Sequence, residues 1–548
     1  MTKRHLIVFI ALAAFILPIL NGCEFLGMIP PVQQSPVSEP QAPEIDSPEP
    51  EEPIQPYPSP PPAQTAPPPG RFTLRYDDGS TLNPLLTFNR DNILLASLLY
   101  ESLFVLDNSF NPVPVLCDSW ETEGNVRFTF TIKENIPMND GTMLTASDVV
   151  YSFRQAMTRG RYANRFDSVL RLEVEDELVF RVELNAPNSR FVNLLDFPII
   201  KNGSIDSHIP PGTGLFTFAD EGATRLLRFN AHRNVSAMPL STIYLRTSGD
   251  NELTQMFDDG LISLLWDDPG DTFDIRLNRL HETRYYDTTA LQFIGFNTAS
   301  LIFRDPDIRR AISSSIERQY IVDNIMPGQS LPAPLALSPA FPWYDYDWED
   351  NPLDPFQEMY LLFKRAGLED FDDDSYLEFS DGYGGYVRFS VDFIVNSENA
   401  YKVQAAYRIA RTLRLAGLDI SVRELPWDHF INALESGNFD MYYGEAVLGG
   451  DFDLSPLLLP GPLNYGWTAN TGYRPLIEDF LAARGASEIR YASQILCERI
   501  RQNAPFAPIL YKRYAIYTPL GAIQGADPSQ SAIFRNFPEW TINLSMLT

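Results

Sequence analysis

Asp451 and Asp453, two residues apart in "GGDFDLSPLL", are the side chains whose type and spacing best suit chemistry in this chain. A carboxylate facing an ammonium forms a charge-assisted hydrogen bond roughly twice as strong as a neutral one. The same pair also reads as a solvated turn in an acidic protein, so spacing alone leaves both readings open. Three aromatics flank the loop in sequence: Trp427 after Pro426, then Tyr465 and Trp467 in "LNYGWT". Such rings give a ligand flat apolar area at little entropic cost, and they serve equally as core packing. Chemistry of the enzymatic kind finds little footing. His5, His208, His232, His281 and His429 show no metal-ligand spacing, and the chain has no G-x-S-x-G elbow, Walker loop or CxxC pair. No metal set, cofactor motif or catalytic residue is therefore expected. A carboxylate pair for glycoside hydrolysis is the enzymatic alternative that remains.

The elements that must position Asp451 and Asp453 are legible from periodicity. "RFTLRY" alternates Phe72, Leu74 and Tyr76, and "RFTFTIKE" alternates Phe128, Phe130 and Ile132, so each predicts a strand with one face inward. "LEVEDELVFRVEL" predicts two strands about a turn at Asp176-Glu177. Thr145 and Asp148 form a capping box opening a helix with Val149, Phe153 and Met157 on one face. Further on, Asp305 caps a helix with Pro306 in its first turn and Ile308, Ile312 and Ile316 stacked. "YKVQAAYRIARTLRLAGLDISVREL" and "WDHFINALESGNFDMYYGEAV" are two successive helix–glycine–strand units. Repeated units of this kind imply a largely parallel sheet covered by helices, an α/β fold. Ligands in such folds collect at the carboxyl ends of strands. The segment after Val447, which holds Asp451 and Asp453, is at that end. Trp120 in "DSW" is expected in the core.

The N-terminus is built differently. Lys3 and Arg4 precede an apolar run from Leu6 to Leu20, shorter than the about 20 residues of a spanning helix. A basic start and a short apolar stretch describe an export signal over residues 1–22. Leu20-Asn21-Gly22-Cys23 resembles a bacterial lipobox, although Asn21 is not the usual small apolar residue there; the resemblance makes Cys23 a diacylglycerol-bearing anchor. Residues 24–70 carry no lysine or arginine and are crowded with proline, so 23–70 reads as anchor plus extended tether. The chain carries −29; this leader holds seven acids and two bases, so the rest has 64 acids against 40 bases, −24. That balance disfavours nucleic acid, whose binders need a basic face, and docking on anionic lipid beyond the anchor. Cys117 and Cys497 sit in apolar contexts and are expected as buried free thiols.

The globular part resembles the bacterial extracellular solute-binding proteins of family 5, receptors of oligopeptide, dipeptide and nickel ABC importers. Asn83-Pro84, Tyr100-Glu101, Ser119-Trp120, Asp140-Gly141 and Thr145-Ala146 with Asp148-Val149 carry it near the N-terminus. "PPGTGLFTF", "LQFIGFNTASLIFRDPDIRRAISSSIERQYIV" and "NAPFAPILYKRYAIYTPLG" follow in the family's order. "IPMNDG" departs from the pattern, and "GGDFDLSPLL" lacks the proline that often follows the second aspartate. The resemblance implies a periplasmic-binding-protein-like fold (type II, cluster C), a two-lobe Venus flytrap with an extra subdomain on lobe one. Lobe one would take 71–100, 204–294 and 511–548, the subdomain 101–203, and lobe two 295–510. Crossing strands are expected near Gly295–Asn297 and Ile509–Tyr514. By the same resemblance the protein would be a monomeric, lipid-anchored receptor on the extracytoplasmic face that hands a peptide to an ABC permease and its ATPases. Asp451 or Asp453 would receive the peptide's α-amino group, with Trp427, Tyr465 and Trp467 near the pocket. A ligand sensor, and binders of nickel chelates or sugars, are the alternatives in the same fold.

Overall fold

In the computed structural model the described residues are 70–548, apart from 164, 220–223, 248–251, 269–274, 301, 350–353, 467–471 and 548. The signal, Cys23 and the tether, and also Trp467, lie outside the described residues.

Phe128, Phe130 and Ile132 turn inward from the strand Arg127–Ile132, as their alternation requires. That strand joins a four-stranded antiparallel sheet in the order Cys117–Glu123, Arg127–Ile132, Val179–Leu184, Val169–Asp176. The helix Ala146–Thr158 lies against this sheet, and the Asp148 carboxylate accepts both the N–H and the hydroxyl of Thr145 at its start. A second four-stranded sheet is ordered Thr73–Arg75, Thr242–Arg246, Arg225–Arg228, Phe216–Phe218. Phe72, Phe130, Phe153, Phe216 and Trp540 belong to one continuous core, so the two sheets and the C-terminus share an interior.

Trp120 departs from expectation: it is 40% exposed, edge-on to Phe104. It lies on the outermost strand of its sheet, beyond a register shift between Cys117 and Ser119, and everything after that shift faces solvent. Cys117 and Cys497 are free and buried, and burial pushes each thiol up to about 12.

The helix–glycine–strand units build the second lobe. Ala400–Leu415 stops at Gly417 and Trp427–Ser436 at Gly437, both glycines at positive φ. The strands Ser390–Asn396, Asp419–Leu425 and Met441–Val447 run parallel. The sheet is nonetheless mixed, which corrects the expectation of a largely parallel one. Met441–Val447 pairs antiparallel with the long strand His281–Phe296, and that in turn with Phe506–Pro519. These two strands link the lobes in opposite directions, so their pairing must be antiparallel. Tyr286 and Ile516 pack in the first core while Leu291, Phe293 and Tyr511 pack in the second. The passage therefore falls at 287–290 and 512–515, where the pairing register slips between Asp287 and Leu291. On the first strand this is upstream of Gly295–Asn297. Among the described residues no helix is long and apolar enough to cross a membrane.

Candidate functional site

A cavity of ≈ 1470 Å³ is walled by all three regions. Its lobe-two wall is the loop after Met441–Val447, with Gly449, Gly450, Asp451 and Asp453. The tight shape of this loop has a steric cause. A Cβ on Gly450 would meet Leu106 at 2.5 Å and the Asn193 carbonyl at 2.9 Å, and one on Gly449 would meet Leu194 at 2.9 Å. Residues of the 101–203 segment thus press directly on the loop backbone.

Polar side chains of that segment then grip it. Asn188 Nδ2 donates to Asp451 Oδ2 at 2.8 Å and Asn193 Nδ2 to the Gly450 carbonyl at 3.0 Å. Arg190 donates through Nε to the Asp451 carbonyl and through Nη2 to the Phe480 carbonyl, both at 3.1 Å. Its guanidinium also stacks 4.1 Å from the Phe480 ring centroid, and burial lowers its pKa to about 10. Phe110 packs edge-on against Phe452, which meets Phe341 the same way. Asp451 is 3% exposed, so it is no solvated turn residue. Asp453 accepts the N–H and hydroxyl of Ser455 at 2.8 and 2.6 Å. Burial, and then the charge of Asp451, push its carboxyl up to about 6.

The opposite wall belongs to lobe one. Trp266, Tyr286 and Tyr514 form an edge-to-face aromatic group, with Trp266 Nε1 donating to Tyr286 Oη at 2.5 Å. Arg90 lies over Trp266 and faces Asp267 at 3.5 Å. Beneath this group Lys512, 2% exposed, donates to Asp268 at 2.7 Å and to Glu445 at 3.0 Å. Glu445 also takes Lys402 at 3.0 Å and Gln292 at 2.9 Å. Burial would raise Glu445, but Lys402 and Lys512 hold it down at about 2. Burial would depress Lys512, yet Asp268 and Glu445 keep it above the ordinary lysine value.

Of the residues singled out from sequence, Asp451 and Asp453 come together in the cavity wall. Trp427 stacks on Phe430 and Tyr465 sits edge-on to Tyr442, both beside the lobe-two core and outside the cavity lining. The lobe-one wall escaped sequence reasoning, although a signal was there. Lys512 and Arg513 interrupt the apolar run "APILYKRYAIY", and a cation in a buried strand must find carboxylates. "LLWDDPG" supplies one of them, Asp268, two residues after an aromatic.

Two lobes joined by paired strands, with a ligand-sized cavity between them, define a solute-binding receptor. The profile of the bacterial extracellular solute-binding proteins, family 5 (middle), matches residues 111–461, and the chain belongs to that family. The oligopeptide-binding protein AppA of Bacillus subtilis is 21% identical over 76% of this chain and 81% of its own length. The glutathione-binding protein GsiB of Escherichia coli K12 is 24% identical over 53% and 59%. The solved structure of Bacillus subtilis AppA with a nonapeptide superposes with a TM-score of 0.64 at 18% identity, covering 86% of this chain and 99% of that one.

Proposed function

We propose that this protein is the extracytoplasmic receptor of an ABC importer, capturing peptides and delivering them to a membrane permease. The observation that carries the reading is the cavity between the lobes, which exceeds the roughly 300–1,000 Å³ of most small-molecule pockets. Its wall presents Asp451 and Asp453, neither of which forms a salt bridge among the described residues. The one buried guanidinium that acts on both, Arg190, spends its hydrogen bonds on backbone carbonyls, so two carboxylates share a single cation and an incoming ammonium suits the remaining charge. AppA and GsiB, named for peptide ligands, support the same class. The role is binding without catalysis, by a monomer. Trp427, Tyr465 and Trp467 belong to the surroundings of the site in this reading, with Asp451 and Asp453 at its ammonium end. Export and anchoring through Cys23 are part of the proposal, supported by the Leu20–Cys23 pattern and the tether.

Calorimetry with a pool of short peptides and the same pool N-acetylated tests the ligand. The free pool should bind about two to four orders of magnitude more tightly, since an unpaired buried carboxylate costs about 3–5 kcal/mol. Equal binding of the two pools removes amine capture, and no binding of either removes the peptide. Intact mass of protein extracted from native membranes tests the anchor, and a chain still carrying residues 1–22 without acyl groups refutes it.

A further inference from the structure

The cavity holds cations from several elements, and most are already neutralised. Arg75 faces Asp91 at 3.1 Å, Arg90 faces Asp267, Arg165 faces Asp196 at 2.5 Å, Arg233 faces Glu101 at 2.6 Å, and Arg535 faces Asp527. Two cavity cations, Arg161 and Lys133, have no carboxylate partner among the described residues. Lys133 spends its ammonium on the Val115 carbonyl at 2.6 Å. Arg161 donates one Nη2 hydrogen to a neutral phenol, Tyr162 Oη, and meets no carboxylate or carbonyl among the described residues.

Arg161 is also held in place. It lies in the short turn Gly160–Tyr162, which follows the helix Ala146–Thr158. Gly160 has φ +65°, and a Cβ there would fall 1.8 Å from the Leu85 carbonyl oxygen, so the turn rests directly on lobe-one backbone. Only glycine fits that approach. From this seat the Arg161 guanidinium lies 4.8 Å from the Tyr162 ring centroid, and Nη2 donates to Tyr162 Oη at 2.6 Å. Its Nε is buried with no hydrogen-bond partner. Tyr162 is 7% exposed, so the ring that braces the guanidinium is itself packed in the core. The neighbouring wall leads to the acidic loop: Asp196, the partner of Arg165, is two residues from Leu194, which packs on Gly449.

We propose that Arg161 receives the carboxylate of the bound ligand. A planar guanidinium braced on a ring, whose Nη1 has no hydrogen bond among the described residues and is not sealed off as Nε is, matches a carboxylate in charge and shape. The proposal rests on the peptide reading and extends it: one end of the ligand is an ammonium on the Asp451–Asp453 loop, the other a carboxylate on the Gly160–Tyr162 turn. The cavity then selects zwitterions with free termini and rejects amidated ones.

Wild type, Arg161→Gln, Arg161→Lys and Lys133→Gln are compared by calorimetry against a pool of short peptides and the same pool amidated at its carboxyl groups. Wild type should lose about 100-fold in affinity on amidation. Arg161→Gln should show that loss already with the free acid and no longer distinguish the pools, while Arg161→Lys recovers part of the discrimination. The unfolding midpoint of each unliganded variant guards against a folding defect. If that of Arg161→Gln falls, Arg161→Lys decides, and discrimination equal to wild type there overturns the proposal. Discrimination retained by Arg161→Gln, or lost instead in Lys133→Gln, also overturns it while leaving the peptide reading intact. If neither pool binds wild type, the peptide reading fails and the carboxylate site falls with it.

Discussion

Asp453 is the residue where burial opposes the role proposed for it. Its folded pKa of about 6 stands above the about 3.9 of an unfolded aspartate. Between these values the folded chain holds more protons than the unfolded one. The stability this contributes is present below pH about 4 and lost as pH rises through about 6. A bound ammonium reverses the preference by favouring the ionised carboxylate. Peptide affinity should therefore rise between about pH 5 and about pH 7 in wild type and stay nearly flat in Asp453→Asn. Calorimetry across that range checks it, and a flat wild-type profile would assign the ammonium to Asp451 alone. Asp451 is already bonded by Asn188, so an ammonium there adds to an existing contact.

At the scale of elements, the strands His281–Phe296 and Phe506–Pro519 do more than connect the lobes. Lys512 joins Asp268 on the lobe-one side to Glu445 on the lobe-two strand Met441–Val447, within the stretch where the chain passes between cores. An ion group so placed fixes the strands' alignment, because sliding either one would strand a buried charge. Glu445→Gln should cost about 3–5 kcal/mol of unfolding free energy, as breaking a buried pair does, measured by urea denaturation. With its folded pKa held down at about 2, Glu445 contributes stability that is present above about pH 4.3 and lost as pH falls through about 2. A change below about 1 kcal/mol on substitution would show that the network is solvated in solution.

For the whole molecule, the 101–203 segment shares its core with lobe one yet holds lobe two through Asn188, Arg190 and Asn193. Opening the cleft by moving lobe two must break these bonds. Asn188→Ala combined with Asn193→Ala should enlarge the radius of gyration of the unliganded protein, and saturating peptide should restore the compact value through binding to the closed state. Small-angle scattering with one radius under all four conditions would mean that this contact does not govern closure.

Local order was written plainly in the residues. The capping pair Thr145–Asp148, the cap Asp305 and the glycines Gly417 and Gly437 stand where periodicity predicts, because each acts on backbone within a few residues of itself. The loop bearing Asp451 and Asp453 follows a predicted strand for the same reason. What faces that loop was decided only by the tertiary structure. Trp427 and Tyr465 are close to it in sequence but pack into lobe two, whereas Asn188, Arg190 and Arg161 lie far upstream and reach its loop or its cavity. The mixed sheet and the exposed Trp120 depend likewise on strand order and register. Periodicity reports which face of an element is apolar; partners are chosen by long-range pairing, and a charge alone in the sequence acquires its meaning from the charges the fold sets opposite it.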